Sequence, residues 1–577
     1  MEILKFKKVN CKNCYKCIRY CPVKAIAIKN NEAQIIEKDC ILCGNCTVVC
    51  PQNAKEDIND VPKIKALIRD GKNVIASVAP SYVANYSLSN FEELRNALKS
   101  LGFSDATETA EGAYLVKNEY EKLVDLNWNS TIISSCCPTV IKYIQRYVPE
   151  AIPYLAPVAS PMQASSKIIK GSNTDATVVF IGPCISKKLD CKQENSSTDY
   201  VITFEELADW LKNSNIEFPP KDVSLKETTN KIASKNEKLI EKYKSRIFPI
   251  RGGILESMNK NPNFDYIAVD GLENCIIALK EILNGSLHNC FIEMSACTNS
   301  CIGGPYFRKN NLSILSSELS VRNNALNKEH YKDYDIDKAF DLHEHIKSEQ
   351  IICAEPNKKQ ILGILKRMGK NSEEDELNCG TCGYSTCREK AIAVYFGKAE
   401  ISMCLPFMKE RAESFSDKII NLTPNSVIAV DMDLNVQQIN TSACELFSIK
   451  SEKDIIGSPI SRILDEFDFI NIITTDTSKM KKKVFLVEYN LYLEQVFLYD
   501  KNSSIVICIM KDITSEKRRK NKLMAEKIKA ANMADEIVEK QLRIVHEIAS
   551  LLGETAAETK VVVNDLKETI LIDEDDN

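Results

Sequence analysis

Between residues 73 and 365, apolar runs of strand length alternate with stretches whose apolar positions recur at helical spacing. N-V-I-A-S-V-A-P at 73–80 and D-A-T-V-V-F-I-G-P at 175–183 read as buried strands, and F-E-E-L-R-N-A-L-K-S-L at 91–101 as an amphipathic helix. This alternation predicts an α/β domain over 73–365. Residues 417–515 follow a different order. Two short strands, S-V-I-A-V-D-M-D and N-V-Q-Q-I-N, precede helical T-S-A-C-E-L-F, and K-V-F-L-V-E-Y and S-I-V-I-C-I-M are later strands. About 100 residues suit one small domain. From 516 to 570 the chain reads as helix. Ile537, Gln541, Ile544, Ile548, Leu551 and Thr555 recur at 4-3-4-3-4 spacing, the seam of a coiled coil, so a homodimer is expected.

Composition narrows the function classes. With 577 residues the chain holds several domains, and its net charge of −5 gives no overall basicity for nucleic acid. The start, M-E-I-L-K-F-K-K-V-N-C, lacks the apolar core of a signal peptide, and no run is apolar enough to span a membrane. A cytoplasmic protein is expected. Its 23 cysteines are therefore read as metal ligands rather than a disulfide framework. Cys191, Cys275, Cys290, Cys353, Cys444 and Cys508 are scattered and are assigned to packing.

The remaining cysteines fall in motifs. Residues 11–22 and 40–51 each read C-x2-C-x2-C-x3-C-P, the pattern of a bacterial two-cluster ferredoxin. In that pattern the fourth cysteine of each run serves the other cluster. Cys11, Cys14, Cys17 and Cys50 are then one [4Fe–4S] ligand set, and Cys21, Cys40, Cys43 and Cys46 the second, within a domain at 1–60. Zinc ribbons need only four ligands per metal and not this doubled spacing. The α/β domain carries S-S-C-C-P at 134–138, G-P-C-I-S-K-K-L-D at 182–190 and E-M-S-A-C-T-N-S-C-I-G-G-P at 293–305. Cys137, Cys184, Cys297 and Cys301 would suit a third cube. Residues 379–404 space Cys379, Cys382, Cys387 and Cys404 as C-x2-C-x4-C-x16-C, in a small domain at 366–412. A zinc knuckle shares such spacing, and beside two ferredoxin cubes a fourth [4Fe–4S] cluster is expected.

The three central motifs, with F-P-I-R-G-G-I-L-E (248–256) and V-D-G-L-E-N (269–274), resemble the active-site domain of the iron-only ([FeFe]) hydrogenases over about 73–310. The resemblance implies that Cys137, Cys184, Cys297 and Cys301 hold a cube and that Cys301 bridges to a two-iron unit bearing CO and cyanide. It implies that Lys187 donates to a cyanide, that Cys136 is the proton donor beside the iron, and that Ser160 and Glu121 belong to the proton path. Departures cluster near the reacting metal. Gly182 and Ser295 stand where the family has methionine, and Asn299 and Ser300 where it has glycine. In the relay helix Asn118 and Asp125 replace a carboxylate and an arginine.

The 379–404 segment resembles the small cluster domain of redox-complex subunits, and 417–515 resembles a PAS sensor domain, with no residue declaring a haem or flavin. The fold class is thus multidomain α/β and α+β: two-cluster ferredoxin module, two-lobed hydrogenase-like domain, small cluster domain, PAS domain and helical coiled-coil tail. This order is similar to the sensory branch of the hydrogenase family. It implies reversible chemistry between two protons, two electrons and dihydrogen, with ferredoxin or another low-potential carrier as electron partner. A protein phosphatase or kinase is the implied signalling partner. A ferredoxin-linked metabolic hydrogenase and a non-catalytic [4Fe–4S] sensor or scaffold without the diiron unit remain open.

Overall fold

The apolar runs of the α/β region become the strands of two separate parallel sheets in the computed structural model. It describes residues 3–7, 10–30, 32–86, 88, 90–216, 244–326, 340–351, 354–475, 477–501, 503–552 and 563–567. Two units are distinct, Met1–Met408 and Lys409–Asn577. In the first, one sheet runs Asp105–Glu108, Val74–Val78, Thr177–Gly182, Tyr200–Thr203, and the other Asp265–Asp270, Cys290–Ser295, Thr131–Ile133. All five pairings are parallel. The two-lobed expectation is met.

Strands in such sheets are covered on both faces and read as continuous apolar runs. Val74–Val78 is buried at every position. The helix Phe91–Ser100 turns Leu94 and Leu98 onto this core, and Asn90 caps it by accepting from the Glu93 N–H. Parallel strands also gather their carboxyl ends at one edge of each sheet, where ligand-bearing loops collect. All three central cysteine motifs begin there: Cys136 and Cys137 after Ile133, Cys184 after Gly182, and Cys297 after Ser295.

The ferredoxin-like segment forms two small antiparallel ribbons, Leu4–Phe6 with Lys55–Asp57 and Ile26–Lys29 with Glu32–Ile35. It docks on the α/β domain through the helix Pro138–Tyr147. Arg146 donates to the carbonyls of Glu37 (2.9 Å) and Cys40 (2.8 Å), and the Tyr147 hydroxyl to that of Asp39 (2.7 Å). The 379–404 segment packs on the same module. Arg19 donates to the Gly380 carbonyl at 3.1 Å, Lys24 to that of Gly383 at 3.1 Å, and Ile28 N to that of Lys398 at 3.0 Å. Gly383 is required there: its φ is +91°, and a Cβ would lie 2.9 Å from Ile18 Cβ.

The second unit has a five-stranded antiparallel sheet ordered Val436–Ile439, Ser426–Val430, Ile505–Asp512, Leu491–Asp500, Lys479–Leu486. Helices Thr441–Leu446 and Phe467–Thr474 join its core, with Phe469 edge-on to Phe497 at 5.0 Å. This is one small antiparallel sheet-and-helix domain, within the interval read from the sequence as 417–515. One helix, Leu405–Leu422, runs through the interval read from the sequence as the end of one domain and the start of the next. The tail is a helix over Thr514–Leu552. Ile537 and Ile544 are largely exposed on it. The side chains of Ile548 and Leu551, and Thr555 altogether, lie outside the described residues. Among those residues no helix is long and apolar enough to cross a membrane.

Glu293 ties strand to loop beneath the third motif. Its carboxylate accepts from the N–H groups of Gly252 (2.9 Å), Ile254 (3.0 Å) and Leu255 (3.3 Å). Gly253 has no room for a side chain, since a Cβ would meet Ile247 O at 1.9 Å. Burial raises the Glu293 carboxyl from 4.5 to about 7, against the lowering effect of those three donors. A raised folded-state value means that the folded chain keeps a proton the unfolded chain has released. The contribution of Glu293 is therefore greatest below about pH 4.5 and declines as pH rises to about 7. Thermal melts should show Glu293→Gln, which stays neutral, gaining on the wild type across that interval. A melting difference independent of pH would contradict this.

Candidate iron–sulfur and hydrogenase-like site

In the ferredoxin-like module the loops carry left-handed residues between the cysteines: Asn13 (φ 49°), Tyr15 (57°), Leu42 (54°) and Gly44 (75°). These tight turns bring thiols from one short loop toward a common point. Cys21, Cys40, Cys43 and Cys46 line one small cavity. Cys21 has thus left its own motif for the other, as the spacing implies. Backbone N–H groups of Ala25 and Leu42 reach the Cys21 and Cys40 sulfurs at 3.3 and 3.4 Å. Burial pushes the Cys40 thiol up to about 11 and that of Cys43 to about 12. In the reciprocal set, Cys17 feels the charges of Cys14 and Cys50 and of the buried Lys55. Cys11 packs in the same apolar cluster as Cys17.

The central set draws one thiol from each of two lobes and two from a third loop. Cys297 is influenced by Cys184, Cys137 and Cys301, and Cys301 by Cys184 and Cys137, so the four converge. Cys301 keeps open surface although burial drives its thiol far up, so it faces an internal hollow. Gly304 borders the hollow: a Cβ there would lie 3.6 Å from the Cys297 sulfur. A hollow walled by four cysteines, of which Cys137, Cys297 and Cys301 are raised by burial, fits an iron cluster, because iron takes the thiolate form that burial alone disfavours.

Asn299 and Ser300, found in place of glycines, are both left-handed (φ 63° and 56°). Such backbone costs a non-glycine residue about 1 kcal/mol, and two contacts hold it. Asn299 N donates to Asp270 Oδ2 at 2.6 Å, and the Ser300 hydroxyl to Ser295 Oγ at 2.9 Å. Asp270 lies in V-D-G-L-E-N and Ser295 replaces methionine, so these sequence features are one local device.

Around the hollow, Lys187 pairs with Asp190 at 2.8 Å and approaches the Cys136 carbonyl at 3.4 Å. Ser160 donates to the same Asp190 oxygen at 2.7 Å. Cys136, Lys187 and Ser160 are thus brought together, with Asp190 as a member that sequence reading missed. Glu121 is not brought to them. Its carboxylate pairs with Lys117 at 3.2 Å and accepts from Asn259 N at 2.6 Å. The inward residue of that helix is Tyr120, fully buried, whose hydroxyl lies 3.2 Å from the Cys136 sulfur and 3.1 Å from Ser135 Oγ. The i, i+4 spacing of Val116, Tyr120 and Val124 marks this buried face in the sequence. Asp125 is exposed and accepts from Asn261.

The fourth set also closes on one space. Cys379, Cys382, Cys387 and Cys404 line a small cavity, which Lys390 also borders. Thr386 caps the helix Cys387–Tyr395, and Asn378 Oδ1 accepts from Cys387 N at 2.8 Å. Of the cysteines assigned to packing, Cys275, Cys290 and Cys508 are buried, Cys191 and Cys444 half-buried, and Cys353 lies outside the described residues.

Comparison with known proteins agrees with this geometry. The family model of the iron only hydrogenase large subunit, C-terminal domain, matches residues 72–263 and 257–305. A 4Fe-4S dicluster domain model matches 10–54 and an Fe-S cluster model 375–406. The chain is 25% identical over 341 residues to the NADP-reducing hydrogenase subunit HndD of Solidesulfovibrio fructosivorans, covering 47% of this chain and 56% of that one. It is 30% identical over 189 residues to the cytosolic Fe-S cluster assembly factor NAR1 of Encephalitozoon cuniculi, covering 30% and 51%. The chain thus spans little more than half the length of these relatives. A solved [FeFe]-hydrogenase, HydA(deltaEFG), superposes with a TM-score of 0.36 at 17% identity over 51% of this chain and 100% of that one.

The shared cavity makes the crossed ligand pairing testable. Cys21→Ala should remove the cluster of Cys40, Cys43 and Cys46, a loss of about four irons per chain. The cluster of Cys11, Cys14 and Cys17 should survive, as judged by iron analysis and electron paramagnetic resonance of the reduced protein. Loss of that cluster instead would refute the pairing.

Proposed function

We propose that this chain, whose central domain is of the iron-only hydrogenase-like family, is a redox protein with four [4Fe–4S] clusters and a hydrogenase-type centre used for sensing. Cys11, Cys14, Cys17 and Cys50, then Cys21, Cys40, Cys43 and Cys46, then Cys379, Cys382, Cys387 and Cys404 would hold three cubes. Cys137, Cys184, Cys297 and Cys301 would hold the fourth, with Cys301 shared with a diiron unit. When bound, that unit supplies the reversible conversion of two protons and two electrons into dihydrogen.

The observation that carries the reading is the continuity of the four sets. Cys382 shares one apolar cluster with Cys11, Cys17, Cys21 and Cys46. Cys43 in turn acts electrostatically on Cys297. The ten-residue helix Pro138–Tyr147 begins at Cys137 and ends against the Cys40 loop, a span of about 15 Å. Electrons entering at any set therefore have cysteine neighbours leading to the next.

The chain's own residues handle the proton. The Cys136 thiol, raised by burial to about 12, stays protonated and hydrogen-bonded to Tyr120. Asp190 fixes the Lys187 ammonium toward the hollow and receives Ser160. Glu121 is turned away to Asn259, and Tyr120, in the inward place, is the residue of this helix that meets Cys136. That arrangement favours slow, tuned turnover, and with it a sensory role relayed through the PAS-like unit and helical tail. The expected partners are a low-potential carrier such as ferredoxin and a phosphatase or kinase downstream, with a second copy through the tail. The PAS ligand is left unassigned, and a cytoplasmic location is part of the proposal.

A second reading, a cube-only protein akin to assembly factors, is favoured by one observation. All four cube cysteines are kept while Gly182, Ser295, Asn299 and Ser300 alter the surroundings of the diiron site. Infrared spectroscopy of matured protein separates the two: CO and cyanide bands are expected, and their absence with full cubes would select the second. In the banded protein, Cys136→Ala should keep its iron and lose hydrogen evolution about 10²–10⁴-fold. Unchanged evolution would remove Cys136 from the mechanism.

A further inference from the structure

Three lysines, two of them buried and one half-buried, lie against the cysteine sets, and they differ in how their charge is shared. Lys187 is already matched by Asp190 at 2.8 Å. Lys55, only 6% exposed, faces Cys17 and Cys50 of one ferredoxin set and Cys46 of the other, so its charge is divided between two clusters. Lys390, 1% exposed, serves one set alone. It stands one helical turn after Cys387, and its ammonium donates to the Ile401 carbonyl at 3.4 Å. The charges that act on it most are Cys382, Cys404, Cys387 and Cys379.

We propose that Lys390 gives the 379–404 cluster the highest reduction potential in the chain and makes it the site where an electron comes to rest. This rests on the iron–sulfur reading of that set. The physical cause is charge. A buried ammonium is costly unless an opposite charge lies close by in the same low-dielectric surroundings. Lys390 borders the cavity that Cys379, Cys382, Cys387 and Cys404 line, so those four, as metal-bound thiolates, would be the opposite charge beside it. Reduction moves one electron from a low-potential donor onto the cube, from the 2+ to the 1+ state, with no bond made or broken. The added negative charge meets the Lys390 ammonium in this set, the divided Lys55 with the half-buried Lys24 beside Cys21 and Arg146 beside Cys40 in the ferredoxin sets, and a neutralised Lys187 in the central set. Of these cations Lys390 is both buried and beside a single set. Cluster potentials follow such local charge. The electron is then held next to Cys404, after which the helix Leu405–Leu422 begins.

The test is a redox titration with dithionite, monitored by electron paramagnetic resonance, on the full anaerobically reconstituted chain. The 379–404 signal is identified as the one missing from Cys387→Ser. It should be the first to appear as the potential falls. Lys390→Met should lower its midpoint by about 59 mV, a tenfold change in a one-electron equilibrium, while Lys390→Arg, which keeps the charge, should hold it. An unchanged midpoint in Lys390→Met overturns the proposal. Should Lys390→Met fail to retain the cluster, the order in the wild type decides. A 379–404 signal that appears after the ferredoxin signals overturns the proposal, and one that appears first supports it. Zinc in that set with no signal overturns the iron–sulfur reading itself, which metal analysis distinguishes from a misplaced potential.

Discussion

A buried thiol stays protonated, because taking a thiolate out of water costs more than its neighbours return. The first unit of this protein is organised around that constraint. Its cysteines are turned inward from loops, beside cavities or hollows, where burial and mutual repulsion raise Cys43, Cys297 and Cys301 alike. A metal that takes the thiolates is what such converging sets are suited to bind. The parallel sheets, the glycines of R-G-G and I-G-G-P, and the docking helix Pro138–Tyr147 all serve to bring thiols from distant segments to those spaces.

The second consequence is continuity. Separate ferredoxin-like, central and 379–404 segments would each satisfy their own cysteines, yet they are packed so that one set borders the next. Arg19 and Lys24 fasten the 379–404 loop, and Arg146 and Tyr147 fasten the Cys40 loop, through backbone carbonyls on the ligand-bearing turns themselves. The contacts that hold the module together are therefore also those that hold the cysteine sets in sequence. A change at Gly383 or Arg146 bears on electron passage as well as on stability.

Much of this was legible in the residues. Cysteine spacing is covalent information, and the doubled C-x2-C-x2-C-x3-C-P already implies the exchange of Cys21 and Cys50. Apolar runs at 73–80 and 175–183 are strands because parallel strands are buried on both faces. Side-chain direction across a helix was less legible. Glu121 attracted attention as a carboxylate, but a difference of one residue turns a helix by about 100°, and Tyr120 holds the inward place. Asp190 stands three residues after Lys187 and pairs with it locally, but its second partner, Ser160, reaches it only through the tertiary approach of two segments. Lys55 and Lys390 are lysines in polar-looking stretches, and only packing reveals that they are buried.

The central claim is that four cysteine sets each hold one four-iron cube. The most direct measurement is iron, sulfide and zinc analysis, with Mössbauer spectroscopy, of the chain reconstituted anaerobically without factors that build a diiron unit. The account predicts about sixteen irons and as many sulfides per chain, all in cubes, and no stoichiometric zinc. A plateau near twelve irons with one zinc, or cubes missing from the central set, would contradict it.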